Sequence, residues 1–447
     1  MTGPDINALR ALDDNTLAAR HAAAAAEFEA LVARDLSIDM ARGKPGPEQL
    51  AESARLLELP GADDYLAADG TDCRTYGGDV RGLPEARALL APLVGAAPEQ
   101  VMAAGNSSIA LMHDALVYAL LNGLPDSPRP WSAEPRLRIL CPVPGYDFHF
   151  NLLAGFGIEM VPVPLTGQGP DMAVVESRVA EDPSIKGLIG VPRYSNPTGE
   201  TYSDDSVARL AGMPTAAPDF RLFWDNAYAV HHLDDEPPAL ANILEACAAA
   251  GHPDRALVFG STSKITLPGA GVAAFAASPA NLAWFAAHAG RRSIGPDKIN
   301  QLRHVRFFAG GWPDIERLMA RHAAHLAPKF DAVDTVFTNQ LGDSGLAAWQ
   351  RPQGGYFISL YTPPGCAAAV VARAAQAGVT LTPAGSAFPH GQDPRDHHLR
   401  IAPTSLAPLH AAEAAEVVAQ SLRLVAHEAA CAERDSRCAA GRGCRTQ

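Results

Sequence analysis

One lysine has the surroundings of a nucleophile. Lys264 follows the apolar run 256–259, which predicts a buried strand, and it is preceded by Ser261, Thr262 and Ser263. It is one of only five lysines among 36 basic residues. Lysine, unlike arginine, loses its proton when it is desolvated and can then attack a carbonyl carbon to form a Schiff base. The sequence therefore predicts Schiff-base chemistry at Lys264.

An acidic residue ends a second predicted strand. Asp225 follows Leu222, Phe223 and Trp224, and a carboxylate in such an apolar run needs a cation because its desolvation is costly. A protonated pyridine nitrogen would be such a cation, and a structural arginine is the alternative. Tyr228 follows shortly afterwards and could reach a hydroxyl group on the same ring.

A junction between a short apolar run and a helix offers an anion site. Asn106, Ser107 and Ser108 place hydroxyl and backbone N–H groups there, where a phosphate binds well. An ordinary helix cap is the alternative. Ser261 and Ser263, which flank Thr262 beside the lysine, could add further contacts to the same phosphate.

Two more polar residues complete the set. Asn196, in the turn 194–199, could donate to a phenolate oxygen, although a plain tight turn is the alternative. Arg400, between Leu399 and Ile401, favours a bidentate clamp for a carboxylate, with an interdomain salt bridge as the alternative. Lysine, acid, amide and anion site together indicate a phosphorylated pyridine aldehyde as the ligand.

The elements that must position these groups alternate between strand and helix. Apolar strands between helices indicate an α/β domain with a mostly parallel sheet, in which ligands bind beyond the carboxyl ends of the strands. A β-α-β-β-α order from residue 354 onwards predicts a smaller α+β domain. The strands of the larger domain are predicted at 138–144, 159–165, 185–191, 221–225 and 256–259.

Composition narrows the class of protein. The chain has 447 residues, 47% of them hydrophobic, and a net charge of −13, which fits a soluble globular protein and opposes a nucleic-acid surface. No apolar stretch approaches the roughly 18 residues of a membrane helix, and the N-terminus lacks the pattern of a signal peptide, so a cytoplasmic protein is expected. Seven scattered cysteines predict reduced thiols.

The order of these groups resembles that of the fold-type I, class I aminotransferases, which use pyridoxal 5′-phosphate. The chain is most similar to a bacterial branch called MocR-type or aspartate-aminotransferase-like, which has Arg-Gly-Lys-Pro near its start, here at 42–45. The motifs that carry the resemblance are Tyr76, 105–108, 194–199, 224–228, 261–264 and 399–402.

The resemblance implies an α/β fold with two domains and a homodimer that shares its active sites. The large domain, 75–325, would hold a mostly parallel seven-stranded sheet between helices. The small α+β domain would span 326–430, and residues 1–74 would join it. Residues 431–447 are predicted to be a disordered tail. No metal site is predicted, although Cys431, Cys438 and Cys444 leave zinc conceivable.

The resemblance also implies a role for each residue of the site. Lys264 would form the Schiff base and move the substrate proton, and Asp225 would pair with the pyridine nitrogen. Arg400 would bind the substrate α-carboxylate, with Gly43 facing it. The remaining contacts would be Asn196 and Tyr228 on the ring oxygen, Tyr146 or Phe148 stacked on the ring, and Asn106, Ser107, Ser108, Ser261, Ser263 and the neighbouring subunit's Tyr76 on the phosphate.

One expected residue is missing. Class I members usually carry an arginine several residues after the lysine to bind the phosphate, whereas the segment 268–273 has none. Arg193 is a candidate replacement.

Aspartate or glutamate with 2-oxoglutarate is the expected substrate pair. An acidic substrate needs a second cation, for which Arg42, Lys44 and Arg303 are candidates. A fold-type I lyase or decarboxylase, and an aminotransferase-like ligand sensor, are the alternative functions.

Overall fold

The computed structural model describes residues 3–443, with side chains as far as Ser436. This part of the chain forms two compact units. The smaller unit comprises the segment that ends at Lys44, Leu326–Pro352 and the segment that begins at Tyr356. The larger unit comprises Pro45–His325 and Gln353–Gly355.

The described residues form twelve strands and fourteen α-helices. The strands are β1 (Ile38–Asp39), β2 (Val101–Ala103), β3 (Arg138–Val143), β4 (Glu159–Pro164), β5 (Ile185–Gly190), β6 (Arg221–Asp225), β7 (Ala256–Ser261), β8 (Ala273–Ala277), β9 (Ala348–Trp349), β10 (Ile358–Tyr361), β11 (Val379–Thr380) and β12 (His398–Ile401). The helices are α1 (Asn7–Arg10), α2 (Asp14–Val32), α3 (Pro47–Glu52), α4 (Pro84–Val94), α5 (Ser108–Asn122), α6 (Asp147–Gly155), α7 (Met172–Glu181), α8 (Asp204–Gly212), α9 (Ile243–Ala249), α10 (Pro279–Arg292), α11 (Lys298–Phe307), α12 (Trp312–Leu341), α13 (Ala367–Gln376) and α14 (Pro408–Gly443).

A seven-stranded sheet in the order β2-β8-β7-β6-β5-β3-β4 forms the centre of the larger unit. Neighbours from β4 to β7 pair in parallel, and β8 is antiparallel to both β7 and β2. Strands β5 to β8 are buried along their whole length, because apolar clusters lie on both faces. The predicted α/β architecture with a mostly parallel sheet is confirmed.

The parallel strands bring the predicted site residues to one edge of the sheet. Tyr146 follows β3, Asn196 follows β5, Asp225 ends β6, and Lys264 follows β7. Because the carboxyl ends of parallel strands meet at the same edge, these four residues lie along one rim of the larger unit.

Residues 45–74 pack within the larger unit, whereas the prediction grouped them with the small domain. Leu56 is completely buried there. Arg306 of α11 binds the carboxylate of Asp64 at 2.8 Å, and Nε of Arg303 donates to the carbonyl of Leu59 at 2.7 Å. The segment is thus held to α11.

The smaller unit combines short sheets with long helices. β10 lies between β12 and β9 and is antiparallel to both, while β1 pairs in parallel with β11. Helix α2 packs along α14, where Arg34 binds Glu413 and Glu416, each at 2.7 Å. No helix among residues 3–443 is long and apolar enough to cross a membrane.

The prediction of a disordered tail from residue 431 is wrong for the described part of that segment. Helix α14 continues to Gly443. The N-terminal segment holds it, because Arg10 binds Glu433 at 2.6 Å and Arg434 binds Asp14 and the carbonyl of Leu12. Residues 444–447, and the side chain of Cys438, lie outside the described part.

A buried ion pair sits away from the carboxyl edge of the sheet. The side chain of Asp219 is 0% exposed and accepts hydrogen bonds from Lys186 at 2.8 Å, Ser127 at 2.7 Å and Trp131 at 2.9 Å. Burial by itself raises the pKa of Asp219, but these donors, led by Lys186, bring the pKa below its ordinary value. Lys186 also lies 3.0 Å from Glu134, so it is a structural cation.

We expect Asp219→Ala to reduce stability by about 3–5 kcal/mol, because it leaves the buried ammonium of Lys186 with a single carboxylate. Chemical denaturation followed by circular dichroism measures the change. Asp205→Ala removes a carboxylate whose side chain is 77% exposed, and this control is expected to reduce stability by less than about 1 kcal/mol. Equal midpoints for the two variants would contradict the role of the pair.

Candidate active site

Lys264 lies in the turn that residues 262–266 form between β7 and β8, the lysine turn. The backbone N–H groups of Ile265 and Thr266 both donate to the carbonyl of Thr262, at 2.9 and 2.8 Å. The lysine Nζ is 5.0 Å from the centre of the Tyr228 ring. Burial lowers the pKa of this amine, and the negative charge of Asp225 opposes the shift only in part. The turn thus presents a desolvated amine.

Asp225 is held by a residue that the sequence did not reveal. Asp225 is 1% exposed, and its Oδ2 lies 3.0 Å from Nε2 of His149 on α6. Because a carboxylate oxygen only accepts, Nε2 of His149 carries the hydrogen. None of the described residues binds the other oxygen, Oδ1. The ring of Tyr146, at the start of α6, meets the His149 ring at 5.0 Å.

The turn after β5 is closely packed around Tyr194. Tyr194 takes a left-handed conformation with φ 48°, and its hydroxyl lies 2.7 Å from Nδ1 of His232. A Cβ on Gly354 would come within 2.3 Å of the Tyr194 ring, so only glycine fits there. Asn196 is 2% exposed, and its Oδ1 has no partner among residues 3–443. The turn therefore holds this amide rigidly.

The residues of the predicted anion site lie where β2 leads into α5. Ser107 stands at the N-cap of α5, but its side chain makes no capping hydrogen bond, so the plain-cap alternative is not realised. Ser263 donates to the carbonyl of Asn106 at 2.7 Å, and Ser261 lies 3.1 Å from Ser263. Ser261, Ser263 and the N-terminus of α5 (Ser108 onwards) thus lie next to one another, and together they are called the cradle.

Arg193 does not reach this cradle. It lines a separate cavity of about 170 Å³ with Pro92, Gly95 and Asn242. Its guanidinium donates to the carbonyl of Ala229 at 3.4 Å, so the prediction that Arg193 replaces the missing arginine finds no contact to support it. Arg303 instead lines a cleft of about 360 Å³ that includes Gly105, Asn106 and Ala270. It is the one cation among the described residues of that cleft.

Tyr76 projects from the larger unit. Its side chain is 82% exposed, beside an open cleft of about 580 Å³ that also includes the exposed Ile294. Lys298 is buried beneath this loop and donates to the carbonyls of Thr75 and Gly77, at 2.8 and 2.6 Å. The loop is therefore fixed on both sides of the tyrosine.

The remaining candidates belong to the smaller unit. Arg400 on β12 is 8% exposed, and its guanidinium lies 5.1 Å from the centre of the Phe357 ring and 3.3 Å from Thr382. A Cβ on Gly43 would come within 2.4 Å of that same ring, so Gly43 packs directly on it. The structure thus brings Arg400 and Gly43 to the same aromatic ring.

Arg42 and Lys44, the other two candidates of this unit, are exposed, and so is Phe148 of the larger unit.

Comparisons with known proteins agree with one another. A family model described as aspartate amino-transferase matches residues 12–434. A putative aminotransferase of Mycolicibacterium smegmatis is 54% identical over 397 residues, which cover 88% of this chain and 92% of that protein. An aspartate aminotransferase of Corynebacterium glutamicum is 48% identical over 403 residues, 90% of this chain and 92% of that protein.

A solved structure agrees as well. The crystal structure of an aspartate transaminase from Corynebacterium glutamicum matches with a TM-score of 0.91 at 45% identity, covering 94% of this chain and 99% of that one.

Proposed function

Because the chain belongs to the aspartate aminotransferase family, whose members use pyridoxal 5′-phosphate, we propose that it moves an amino group from aspartate or glutamate to a 2-oxoacid such as 2-oxoglutarate. The resemblance to class I aminotransferases is confirmed, whereas the narrower MocR-type label has no support among these relatives. The Asp225 carboxylate, buried on the sheet edge that also carries the Lys264 amine, is the observation that carries the proposal.

The larger unit fits the cofactor. A buried carboxylate oxygen of Asp225 without a partner among the described residues suits a protonated ring nitrogen, and the amide of Asn196 suits the ring oxygen. Ser107, Ser261 and Ser263 suit a phosphate at the N-terminus of α5. Bound pyridoxal phosphate supplies a reactive aldehyde carbon and an electron-withdrawing ring. We assign Tyr228 to the ring oxygen and Tyr146 to the ring face.

Lys264 has two tasks in this proposal. Its amine holds the cofactor before the substrate arrives, and once released it carries the proton away from the substrate Cα. Both tasks need the uncharged amine, and burial favours that form by lowering the pKa of Lys264. His149 keeps Asp225 in one orientation by its 3.0 Å hydrogen bond.

The phosphate still needs a positive charge nearby. Arg303 lines the cleft that contains Gly105 and Asn106, whereas Arg193 lines another cavity. Arg303 is therefore better placed than Arg193 to offset the charge of the phosphate, and a substrate side chain would need a different cation.

The substrate carboxylate is assigned to Arg400. This arginine is nearly buried and its guanidinium lies beside Phe357, which limits its freedom and suits a bidentate clamp. The preference for aspartate is supported by the family description and by the name of the Corynebacterium glutamicum relative.

Lys264→Ala is expected to reduce transamination by about 10⁴-fold or more and to abolish the absorbance band of the Schiff base between lysine and cofactor, because no other amine replaces it. Lys264→Arg keeps a long basic side chain but is permanently charged and is not a nucleophile, so it is expected to fail equally. Absorbance spectra and coupled assays measure both effects. A Lys264→Ala protein with normal turnover would falsify the assignment.

A panel of amino donors with 2-oxoglutarate tests the substrate. We expect the highest kcat/KM for aspartate with 2-oxoglutarate, or for glutamate with the oxoacid of aspartate as acceptor, because glutamate and 2-oxoglutarate give no net reaction. Without an oxoacid we expect no more than one equivalent of donor to be consumed per site, whereas a lyase or decarboxylase would continue to turn over. Arg400→Gln is expected to lower kcat/KM by about 10²-fold for every donor, since it removes a charge-assisted clamp on the group that all donors share. A loss confined to acidic donors would place Arg400 at the side chain instead.

We also propose a homodimer in which Tyr76 of one subunit reaches the phosphate in the other. The high exposure of Tyr76 on a loop fixed by Lys298 supports this arrangement. Light scattering is expected to give the mass of two chains, and Tyr76→Phe is expected to weaken cofactor affinity about fivefold without changing that mass. A monomer with full cofactor affinity would overturn the proposal.

A further inference from the structure

Helix α11 binds several segments of the larger unit through polar side chains. Each of these side chains contacts a backbone group or hydroxyl of a segment next to the candidate active site. The contacts run from Lys298 to the Tyr76 loop, from Asn300 to the carbonyls of Ala270 and Gly271, from Gln301 to the carbonyl of Ala103, and from His304 to the hydroxyls of Thr262 and Thr266.

His304 of α11 forms hydrogen bonds with the lysine turn. Its Nε2 lies 3.1 Å from the hydroxyl oxygens of both Thr262 and Thr266, which come two residues before and two residues after Lys264. Both threonines are completely buried, and His304 is 2% exposed. Water therefore does not compete for these hydrogen bonds.

The direction of each hydrogen bond follows from the acceptors. Nδ1 of His304 lies 2.9 Å from the carbonyl of Asn300, which only accepts, so Nδ1 carries the hydrogen and Nε2 accepts in the neutral ring. Burial lowers the pKa of His304 to about 4 and keeps the ring neutral. The Thr262 hydroxyl accepts from the N–H of Val272 at 2.9 Å and is left to donate to Nε2.

Helix α11 also contacts the segment between the lysine turn and β8. Nδ2 of Asn300 donates to the carbonyls of Ala270 and Gly271, at 3.2 and 2.8 Å. Helix α11 thus forms hydrogen bonds with the lysine turn and with the residues just before β8. Residues 262–273 contain no arginine that could bind a phosphate and thereby fix the turn through the ligand.

We infer that His304 is a positioning residue for Lys264: by accepting from the Thr262 hydroxyl it keeps the lysine amine in the one orientation that serves both the cofactor and the substrate Cα. This inference rests on the proposed role of Lys264. A displacement of about 1 Å in such a group costs on the order of 10²-fold in rate, so the bond has a measurable consequence.

Two amide variants separate this bond from the rest of the histidine. His304→Asn keeps a donor for the carbonyl of Asn300 on its own helix but is too short to reach the threonines. His304→Gln is one methylene longer and can place an oxygen near the Thr262 hydroxyl. His427→Asn is the matched control, because His427 is also buried and also binds the carbonyl four residues earlier, at 2.6 Å from Arg423.

The pH midpoint of the cofactor's visible absorbance and the separate values of kcat and KM are the readouts. For His304→Asn we expect the midpoint to move by about half a pH unit or more and kcat to fall by about tenfold or more, with KM changed by less than about twofold. His304→Gln is expected to recover most of both values, and His427→Asn to match the wild type.

An unchanged midpoint and kcat in His304→Asn would overturn the positioning role, as would equal defects in the Asn and Gln variants. A wild-type protein without visible absorbance that depends on Lys264 would instead overturn the proposed function on which the inference rests.

Discussion

The burial of an amine and a carboxylate on neighbouring strands is the constraint on which the site depends. Lys264 follows β7 and Asp225 ends β6, and the register of these parallel strands pairs Asp225 with Phe259. Either group alone would be costly to keep in so dry a place. Burial at the carboxyl edge of the sheet lowers the pKa of Lys264. The carboxylate of Asp225, buried at the same edge, is available to pair with a cation of the ligand.

Neutral hydrogen-bonding groups surround this pair and fix its geometry. Burial lowers the pKa of His304 and of His232 to about 4 in each case, and it also lowers the pKa of His231, whose Nε2 lies 3.4 Å from the carbonyl of Lys264. These rings are uncharged near neutral pH. They orient the turns without adding positive charge that would compete with the charges of the ligand.

Much of the site could be predicted from the sequence, since Lys264, Asp225 and Asn196 each combine an informative residue type with the end of an apolar strand. His149 could not be predicted. It follows β3, whereas its partner Asp225 ends β6, two strands away in the sheet, and the order of the strands cannot be read from the sequence. His304 was missed because the contact spans some forty residues. The cavity that Arg193 lines could not be predicted, because the surroundings of a side chain after a strand depend on packing. The helix after residue 431 could not be predicted, because its contacts lie at the other end of the chain.

Lys264 is proposed to be the residue that holds pyridoxal phosphate. Borohydride reduction of the purified protein, followed by digestion and mass spectrometry, identifies the lysine that carries the cofactor. We expect one added phosphopyridoxyl group per chain, located on the peptide that contains Lys264. The group on a peptide with Lys44, Lys186, Lys298 or Lys329, or on no peptide at all, would contradict it.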